Sequence, residues 1–533
     1  MTITIDMSPL RGLDALMSTP AVVTIAAIIF TLLIHNFLPH TDRREPPVVK
    51  PRVPFIGHII GLMRHQAKYH IMLQSSTDKP IATLPMLTGK MYAIWDPHLI
   101  AAAFRSKSLS TTPHIKVATP AITRVGINTT NLLRGPHGDD LVDRIFEQGI
   151  APSFKGASLQ RLNETALSGL ATQLSGVAFD KNEDVPNVWL WLRRLMTSVT
   201  STALYGTHDP FAASPDVEDA LWELERNLLS LTLNLPAVFT PAGHGARNTL
   251  AAALTPYYAA RRDEHVSVSD FVRNRAAVLR GAGLPDADIA RIEMLLPFAA
   301  LANTVPLLFW LFSTVVTRPD LVALLRKEVE RLVMSRSDAN EVTLLVAAGL
   351  VEDRCPLLMS CYRETLRQTV HQVSTRTVME DTTLTDRSGQ PYLLKAGHVV
   401  QMSVGASHAV PESWGPDADE FQPGRFLSQR GKSSGGDGPG GAKAIRAAFQ
   451  PFGGGTHLCP GRQFAFAEIM ATMATLLLGY EFQPLEGTEW RLPGFGARSV
   501  IDAVTKPARH GEGFGMKVRR RQGWEGVRWV YDL

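Results

Sequence analysis

The feature that most constrains the fold of this chain is a glycine-rich segment that leads into a single cysteine near the C-terminus. Residues 452–461 read Phe-Gly-Gly-Gly-Thr-His-Leu-Cys-Pro-Gly. Three consecutive glycines lack side chains, so their backbone can lie flat against a large planar group and adopt positive φ angles that bulkier residues resist. We therefore expect a loop that leaves the sulfur of Cys459 exposed, charged and free to bind a metal.

The residues that follow the cysteine are typical of the start of a helix. Pro460 suits the first helical position because its missing N–H would be unpaired there, and this places Cys459 at the N-cap. Free backbone amides and the positive end of the helix macrodipole lower the pKa of a thiol at that position. The sequence thus predicts a glycine cradle and a thiolate that is a soft, anionic axial ligand. The alternative is a glycine-rich turn with a buried free cysteine.

The spacing Phe-x-x-Gly-x-x-x-Cys-x-Gly, formed by Phe452, Gly455, Cys459 and Gly461, resembles the haem-binding loop of the cytochrome P450 family. In that family the cysteine thiolate ligates the iron of haem b, iron protoporphyrin IX, and favours cleavage of the O–O bond. The resemblance implies this role for Cys459. One position departs from the commonest motif, because His457 stands where an arginine that binds a haem propionate is usual. A histidine can donate to a carboxylate but is charged only part of the time near neutral pH.

Two upstream segments match further signatures of the family. Glu364 and Arg367 form Glu-x-x-Arg, three residues apart and on one helix face. Arg425 lies in the segment Phe-Gln-Pro-Gly-Arg-Phe at 421–426. Buried charges persist only when they are paired and hydrogen-bonded. The resemblance therefore implies that these three residues form a structural ion network beside the haem.

The resemblance also suggests residues that hold the haem propionates. Arg376 stands where the family places an arginine on a strand that reaches a propionate, and a guanidinium suits a carboxylate through its bidentate geometry. The alternative is an ordinary surface arginine. The C-helix Trp-x-x-x-Arg pattern that often contacts a propionate is not found, and Arg144 is the nearest substitute.

Residues 294–316 are apolar almost throughout. A helix that is hydrophobic all round is buried in a protein core or in a membrane, and this one is long enough to span a bilayer. Pro297, Pro306 and the central Asn303-Thr304 pair favour instead the long core helix that crosses the haem in the family. Pro306 cannot donate to the carbonyl of Ala302 and displaces it, which predicts a groove beside Thr304 for oxygen and water.

Most monooxygenases of the family carry an acid before this threonine, whereas this chain has Asn303. The string Ala302-Asn303-Thr304-x-Pro306 is similar to the branch that includes cholesterol 7α-hydroxylase and prostacyclin synthase. In that branch the hydroxylases keep the threonine and the isomerase does not. Thr304 therefore favours oxygen activation, with its hydroxyl and an Asn303-bound water supplying protons. The alternative is a threonine that hydrogen-bonds the carbonyl four residues earlier in its own helix.

Composition and patterning indicate a mainly α fold with small β-sheets (α+β). The chain has 533 residues, of which 45% are hydrophobic, and the resemblance spans roughly residues 50–520 as one unit. Apolar residues recur at helical spacing over 321–333 and 469–477, and strand-like alternation is confined to short runs such as 398–402. The net charge of +4 is too balanced for a nucleic-acid binder. Three cysteines without zinc-ligand spacing fit a reducing compartment.

The N-terminal region predicts a membrane anchor before the catalytic domain. We expect a lumenal segment at 1–19, a transmembrane helix at 20–38, a proline-rich linker at 39–58 and the P450 catalytic domain at 59–533. The apolar segment is long enough to span a bilayer and lacks a basic leader and a cleavage site. Four basic residues follow it, Arg43, Arg44, Lys50 and Arg52, so the positive-inside rule places the catalytic domain in the cytosol. The resemblance implies a single-pass protein of the endoplasmic reticulum membrane.

The expected function is that of a haem-thiolate monooxygenase. It would hydroxylate or otherwise oxidise a lipophilic steroid, terpenoid or other secondary metabolite with O₂ and electrons from NADPH. The resemblance implies NADPH-cytochrome P450 reductase as partner, with cytochrome b5 as an optional second donor. Ala299, Ala302, Val370, Val373 and the turn around Val500 are implied walls of an apolar pocket. Two alternatives remain open: a haem-thiolate isomerase or dehydratase that rearranges a peroxide without O₂ or reductase, and a haem-binding protein without turnover.

Overall fold

A computed structural model describes residues 24, 42–53, 56–176, 183–337, 340–427, 442–496, 500–509 and 511–533. The expected lumenal segment, the expected membrane helix apart from Thr24, and the glycine-rich stretch at 431–441 lie outside these residues.

The described part is mainly helical, as expected. Its α-helices, in chain order, are α1 (Ile59–His65), α2 (Ala67–Gln74), α3 (Pro97–Arg105), α4 (Thr112–Thr123), α5 (Ile127–Arg134), α6 (Gly138–Arg144), α7 (Gly156–Ser175), α8 (Val188–Tyr205), α9 (Pro215–Arg226), α10 (Leu228–Thr232), α11 (Pro241–Ala259), α12 (Asp270–Gly281), α13 (Asp286–Glu293), α14 (Leu295–Leu301), α15 (Thr304–Val316), α16 (Pro319–Val329), α17 (Ala348–Arg354), α18 (Pro356–Thr369), α19 (Val404–Ser407), α20 (Pro411–Trp414), α21 (Ala442–Ala448) and α22 (Arg462–Gly479). A π-helical turn at Ile145–Ile150 extends α6, and a 3₁₀ turn at Gly455–His457 precedes the cysteine.

The strands are short and form small sheets. They are β1 (Ile81–Pro85), β2 (Lys90–Ile94), β3 (Leu109–Ser110), β4 (Glu183–Val185), β5 (Val333–Arg336), β6 (Glu341–Leu345), β7 (Val373–Val378), β8 (Thr382–Thr385), β9 (Pro391–Leu394), β10 (Val399–Ser403), β11 (Tyr480–Pro484), β12 (Met516–Arg520) and β13 (Arg528–Asp532). The largest sheet has the order β1-β2-β10-β7-β3. Only the β2–β10 pair is parallel in it. Two three-stranded sheets, β11-β12-β4 and β13-β6-β5, and the hairpin β8-β9 complete the set.

The apolar stretch at 294–316 is buried in the protein core. Within the described residues, 286–316 is the single stretch long and apolar enough to cross a membrane, and 72% of its most apolar window is covered by the protein itself. The stretch is not the one continuous helix that the sequence predicts, because α14 ends at Leu301 and α15 begins at Thr304. Pro306 has no N–H to donate to the carbonyl of Ala302, so the helical hydrogen-bond ladder is interrupted there.

Two helix starts determine where the later site residues lie. Helix α3 begins with Pro97 after Asp96, whose carboxylate accepts from the backbone N–H of Leu99 at 2.9 Å. At α18 the free N–H groups of Leu357 and Leu358 donate to the two carboxylate oxygens of Glu328, at 2.9 and 3.0 Å. These contacts satisfy donors that a helix start otherwise leaves unpaired. Helix α3 carries Phe104, and α18 carries the Glu-x-x-Arg pair.

Candidate active site

Glu364 lies at the centre of a buried ion network. Its carboxylate accepts from Arg367 at 2.8 Å, through both oxygens, and from Arg425 at 2.9 Å. The side chains of Glu364, Arg367 and Arg425 are only 0%, 2% and 8% exposed. The three residues therefore make the contacts that the sequence motifs imply.

The remaining donors of the two arginines bind the backbone of residues 408–420. Arg367 donates to the carbonyls of His408 at 3.0 Å and Ala418 at 2.6 Å. Arg425 donates to the carbonyls of Trp414 at 2.7 Å and Asp417 at 2.9 Å. Because these carbonyls lie outside long helices and sheets, the guanidinium groups supply the partners that their backbone needs. The network thus fixes the backbone of residues 408–420.

The cysteine loop packs closely against α3. Gly453 and Gly455 have φ angles of 72° and 64°, in the region that favours glycine. A Cβ atom on Gly455 would lie 1.9 Å from the carbonyl oxygen of Phe104, and one on Gly454 would lie 2.9 Å from the ring of Phe104. The positive φ angles agree with the sequence expectation. The close neighbour seen here is Phe104, which no local motif identifies.

Cys459 does not cap a helix, so this part of the sequence prediction is wrong. Helix α22 begins at Arg462 with Gly461 as its N-cap, and its first backbone bond runs from Ala465 N to Gly461 O at 3.0 Å. Pro460 and Gly461 form a turn that keeps Cys459 outside the helix. The N–H of Cys459 donates instead to the carbonyl of Phe452 at 3.0 Å, which closes the loop.

The expected lowering of the thiol pKa is also wrong. Burial raises the pKa of the Cys459 thiol, and this outweighs the backbone N–H groups of Gly461 and Arg462 and the charge of Arg462, which lower it. Those two amides are directed at the sulfur, so they favour the thiolate as the sequence predicts. The sulfur is half-buried, and a local pattern does not reveal that burial.

Arg376 is a buried cation beside the cysteine loop. It lies on β7, is 2% exposed, donates from Nη1 to the carbonyl of Leu109 at 3.2 Å and has its Cζ 5.6 Å from the ring centroid of Phe104. Its Nε has no hydrogen-bond partner among the described residues, and burial lowers its pKa. A buried guanidinium with these neutral neighbours suits a carboxylate, so the donor set fits a haem propionate.

His457 lies near Arg376, whereas Arg144 is known only by its position in α6. Burial lowers the pKa of His457, and the charge of Arg376 lowers it further, while Asp143 raises it. The ring of His457 makes an edge-to-face contact with Phe146 at 5.4 Å. Arg144 ends α6, two residues before Phe146. Phe146 and Phe104 are the packing partners of the loop that sequence reasoning missed, since neither belongs to a recognisable motif.

Thr304 and Asn303 both hydrogen-bond the backbone. The hydroxyl of Thr304 donates to the carbonyl of Ala300 at 2.8 Å, which is the local bond that the sequence leaves open as an alternative. The side-chain oxygen of Asn303 accepts from the backbone N–H groups of Ala503 at 3.3 Å and Val504 at 3.2 Å. The contact between Asn303 and the 503–504 segment has no sequence signal.

Comparison with known proteins decides the family. The family model for cytochrome P450 matches residues 246–500. A cytochrome P450 monooxygenase of Gibberella zeae is 36% identical over 531 residues, covering 97% of this chain and 97% of the relative. This chain belongs to the cytochrome P450 family. It is a P450 monooxygenase by that similarity, and the mainly α fold with small sheets is the P450 fold.

More distant P450 relatives agree with the branch that the sequence suggests. The cytochrome P450 monooxygenase nodJ of Hypoxylon pulicicidum is 28% identical, over 96% of this chain and 97% of the relative. The cholesterol 7-alpha-monooxygenase of Cricetulus griseus is 24% identical over 349 residues, which cover 63% of this chain and 68% of the relative. The expected similarity to the cholesterol hydroxylase branch is confirmed.

Replacing Glu364 by glutamine is expected to destabilise this P450 strongly. The substitution leaves the buried charge of Arg367 without its carboxylate partner and removes the buried one of the two carboxylates that pair with Arg425, at a cost of about 3–5 kcal/mol. The matched control is Asp417→Asn, which removes the partially exposed partner of Arg425 (3.1 Å, side chain 38% exposed) and is expected to cost about 0–1 kcal/mol. Urea denaturation and haem content of the purified variants measure the difference. Equal stability of the two variants would contradict the assignment.

Proposed function

We propose that this P450 monooxygenase binds haem b through Cys459 and oxidises a lipophilic small molecule with O₂ and electrons from NADPH. The observation that carries the proposal is the pairing of two groups at one loop. The half-buried Cys459 thiol faces the N–H groups of Gly461 and Arg462. The buried guanidinium of Arg376 lies beside the same loop, and its Nε has no hydrogen-bond partner in the part of the chain that the structure describes. A soft anionic donor and a cation suited to a carboxylate are what haem iron and a propionate require.

The residues around Cys459 have separate proposed roles in haem binding. Cys459 would hold the haem iron through its sulfur, and because a metal deprotonates a coordinating thiol, the burial that raises its pKa does not exclude this role. Phe452, Gly455 and Gly461 shape the loop. Arg376 and His457 are the proposed partners of the propionates. When bound, the haem iron supplies the activation of O₂.

Thr304 is the proposed carrier of protons in the groove beside α15 that is expected to hold oxygen and water. Its hydroxyl donates to Ala300, yet its oxygen keeps lone pairs that can accept from a water. Rotation of the hydroxyl away from Ala300 turns its proton toward that water. Asn303 is the proposed partner of the water through its amide N–H₂, because its side-chain oxygen already accepts from the backbone N–H groups of Ala503 and Val504.

The substrate class is proposed from the pocket walls and the relatives. The expected walls Ala302, Val370 and Val373 are buried and apolar, which suits a lipophilic molecule. One relative is by its name a cholesterol 7-alpha-monooxygenase, and two more are fungal P450 monooxygenases. A steroid, a terpenoid or another secondary metabolite is the proposed substrate. Electrons come in this proposal from NADPH-cytochrome P450 reductase, with cytochrome b5 as an optional second donor.

Replacing Cys459 by serine is expected to abolish the thiolate-type Soret band of the reduced, carbon monoxide-bound protein and all turnover. A hydroxyl lacks the soft donor that the Fe–S bond requires. The matched control is Cys355→Ala, since Cys355 is fully buried and burial raises the pKa of its thiol to about 12. The control is expected to keep the band. A Cys459→Ser variant with the thiolate band would refute the proposal.

Replacing Thr304 by alanine is expected to uncouple NADPH oxidation from product formation. A positioned proton-transfer group contributes about 10²–10⁴-fold, so the variant should release hydrogen peroxide in place of product while it retains haem. Thr304→Ser keeps the hydroxyl and is the control. The measurement is product and peroxide formed per NADPH, on a substrate found by product profiling in a host that supplies reductase. Turnover by wild type without O₂ and NADPH would establish the isomerase alternative instead.

Deleting residues 1–38 is expected to release the proposed catalytic domain, 59–533, from membranes. The proposed anchor at 20–38 would place the protein in the endoplasmic reticulum membrane with this domain in the cytosol. Alkaline carbonate extraction of the full chain and the truncated chain measures the difference, and the carbon monoxide spectrum of the truncated protein is the control for folding. A folded, truncated chain that stays in the carbonate-resistant pellet would contradict the single-anchor topology.

A further inference from the structure

Helix α15 and its N-cap hold the loop at 502–506 through two side chains. The side-chain oxygen of Asn303 accepts from the N–H groups of Ala503 at 3.3 Å and Val504 at 3.2 Å. Trp310 donates from its indole N–H to the carbonyl of Thr505 at 2.7 Å. These two residues are seven apart, which is close to two helical turns, so they lie on one side of the helix. Side chains of α15 and its N-cap thus hydrogen-bond three consecutive loop residues, 503–505.

The other side of the same loop is bound by the segment between α18 and β7. His371 donates its backbone N–H to the carbonyl of Ala503 at 2.8 Å, and Thr505 donates to the carbonyl of Thr369 at 2.9 Å. Val504 and Val370 form an isolated antiparallel bridge. The loop therefore lies between the helix start that carries Thr304 and the residues that lead to Arg376.

The loop also reaches a third element through Lys506. The ammonium group of Lys506 pairs with Glu225 of α9 and with Asp502 at 3.0 Å. The position of the loop thus connects α9, α15 and the segment before β7. Because Val504 and Thr505 are 4% and 1% exposed, the loop cannot shift without breaking several of these bonds.

The break in the helix explains why Asn303 is available for this contact. Asn303 has φ −111° and ψ −33° and lies between α14 and α15. An amide oxygen accepts two hydrogen bonds, so it satisfies the N–H groups of Ala503 and Val504 together. An acid at this position would offer the same acceptors but no N–H₂ donor. The substitution of the usual acid by Asn303 therefore keeps the contact to the loop.

We propose that Asn303 is a positioning residue that fixes the 502–506 loop and, through it, one wall of the substrate pocket. This role is separate from proton transfer by Thr304. The assignment of the wall to substrate rests on the proposed function, whereas the hydrogen bonds of Asn303 to the loop do not depend on it.

Hydrogen exchange measured by mass spectrometry on the full-length holoprotein tests the proposal. Peptides that cover 500–507 are compared in wild type, Asn303→Ala, Asn303→Asp and Thr304→Ala. Two lost hydrogen bonds should speed exchange in these peptides by about tenfold or more in Asn303→Ala. Asn303→Asp keeps the acceptor and should retain wild-type protection, as should Thr304→Ala. Peptides from α7 serve as the control for global unfolding.

A second experiment measures how well the pocket binds a small probe molecule, so that the natural substrate is not needed. The probe is 4-phenylimidazole, whose binding is titrated through its shift of the Soret band. We expect Asn303→Ala to weaken its affinity by about threefold or more and Asn303→Asp to restore it. Trp310→Phe removes one bond to Thr505 and should speed exchange at 500–507 without any change at residue 303.

The outcomes separate the two proposals. Unchanged exchange at 500–507 in Asn303→Ala, or exchange in Asn303→Asp as fast as in Asn303→Ala, would overturn the positioning role. If Asn303→Ala proves unfolded, Asn303→Ser takes its place, because its shorter side chain cannot span to both N–H groups, and unchanged exchange at 500–507 in it would overturn the role as well. Failure of the haem-thiolate function appears elsewhere, as loss of the thiolate spectrum in wild type.

Discussion

The carboxylate of Glu364 is the contact on which the arrangement of the site depends. It pairs with Arg367 on its own helix and with Arg425 far along the chain, and all three side chains are almost wholly buried. The same guanidinium groups bind backbone carbonyls between His408 and Glu420. A buried charge without a partner is costly, so the pairing with Glu364 holds both guanidinium groups, and with them the backbone of residues 408–420, in place.

A second constraint is the close approach of the cysteine loop to α3. The carbonyl of Phe104 occupies the place that a side chain at Gly455 would need, and the ring of Phe104 lies beneath the guanidinium of Arg376. One residue thus positions both the loop that carries the thiol and the cation beside it. The buried, neutral surroundings of Arg376 make a carboxylate ligand favourable there, which is why the donor set suits a haem propionate.

Thr304 and Asn303, the residues proposed to supply protons, lie where the helix is interrupted between α14 and α15. Pro306 removes one backbone donor, and the break at 302–303 leaves Thr304 bound to Ala300 and Asn303 bound to the loop at 502–506. The chemistry proposed for Thr304 and the pocket wall proposed for the loop therefore depend on neighbouring residues. A change at either position is expected to affect coupling and substrate fit by separate physical routes.

The sequence alone determined the family motifs, the buried apolar helix region, the glycine φ angles and the identity of the ion network, because each depends on residue types at short, regular spacing. It did not determine that α22 starts at Arg462, that burial raises the pKa of Cys459, or that Phe104 packs under the loop. Nor did it indicate that Asn303 binds Val504, 201 residues away. These properties were decided by the tertiary structure, since burial and hydrogen bonding between distant residues arise only when separate elements pack together.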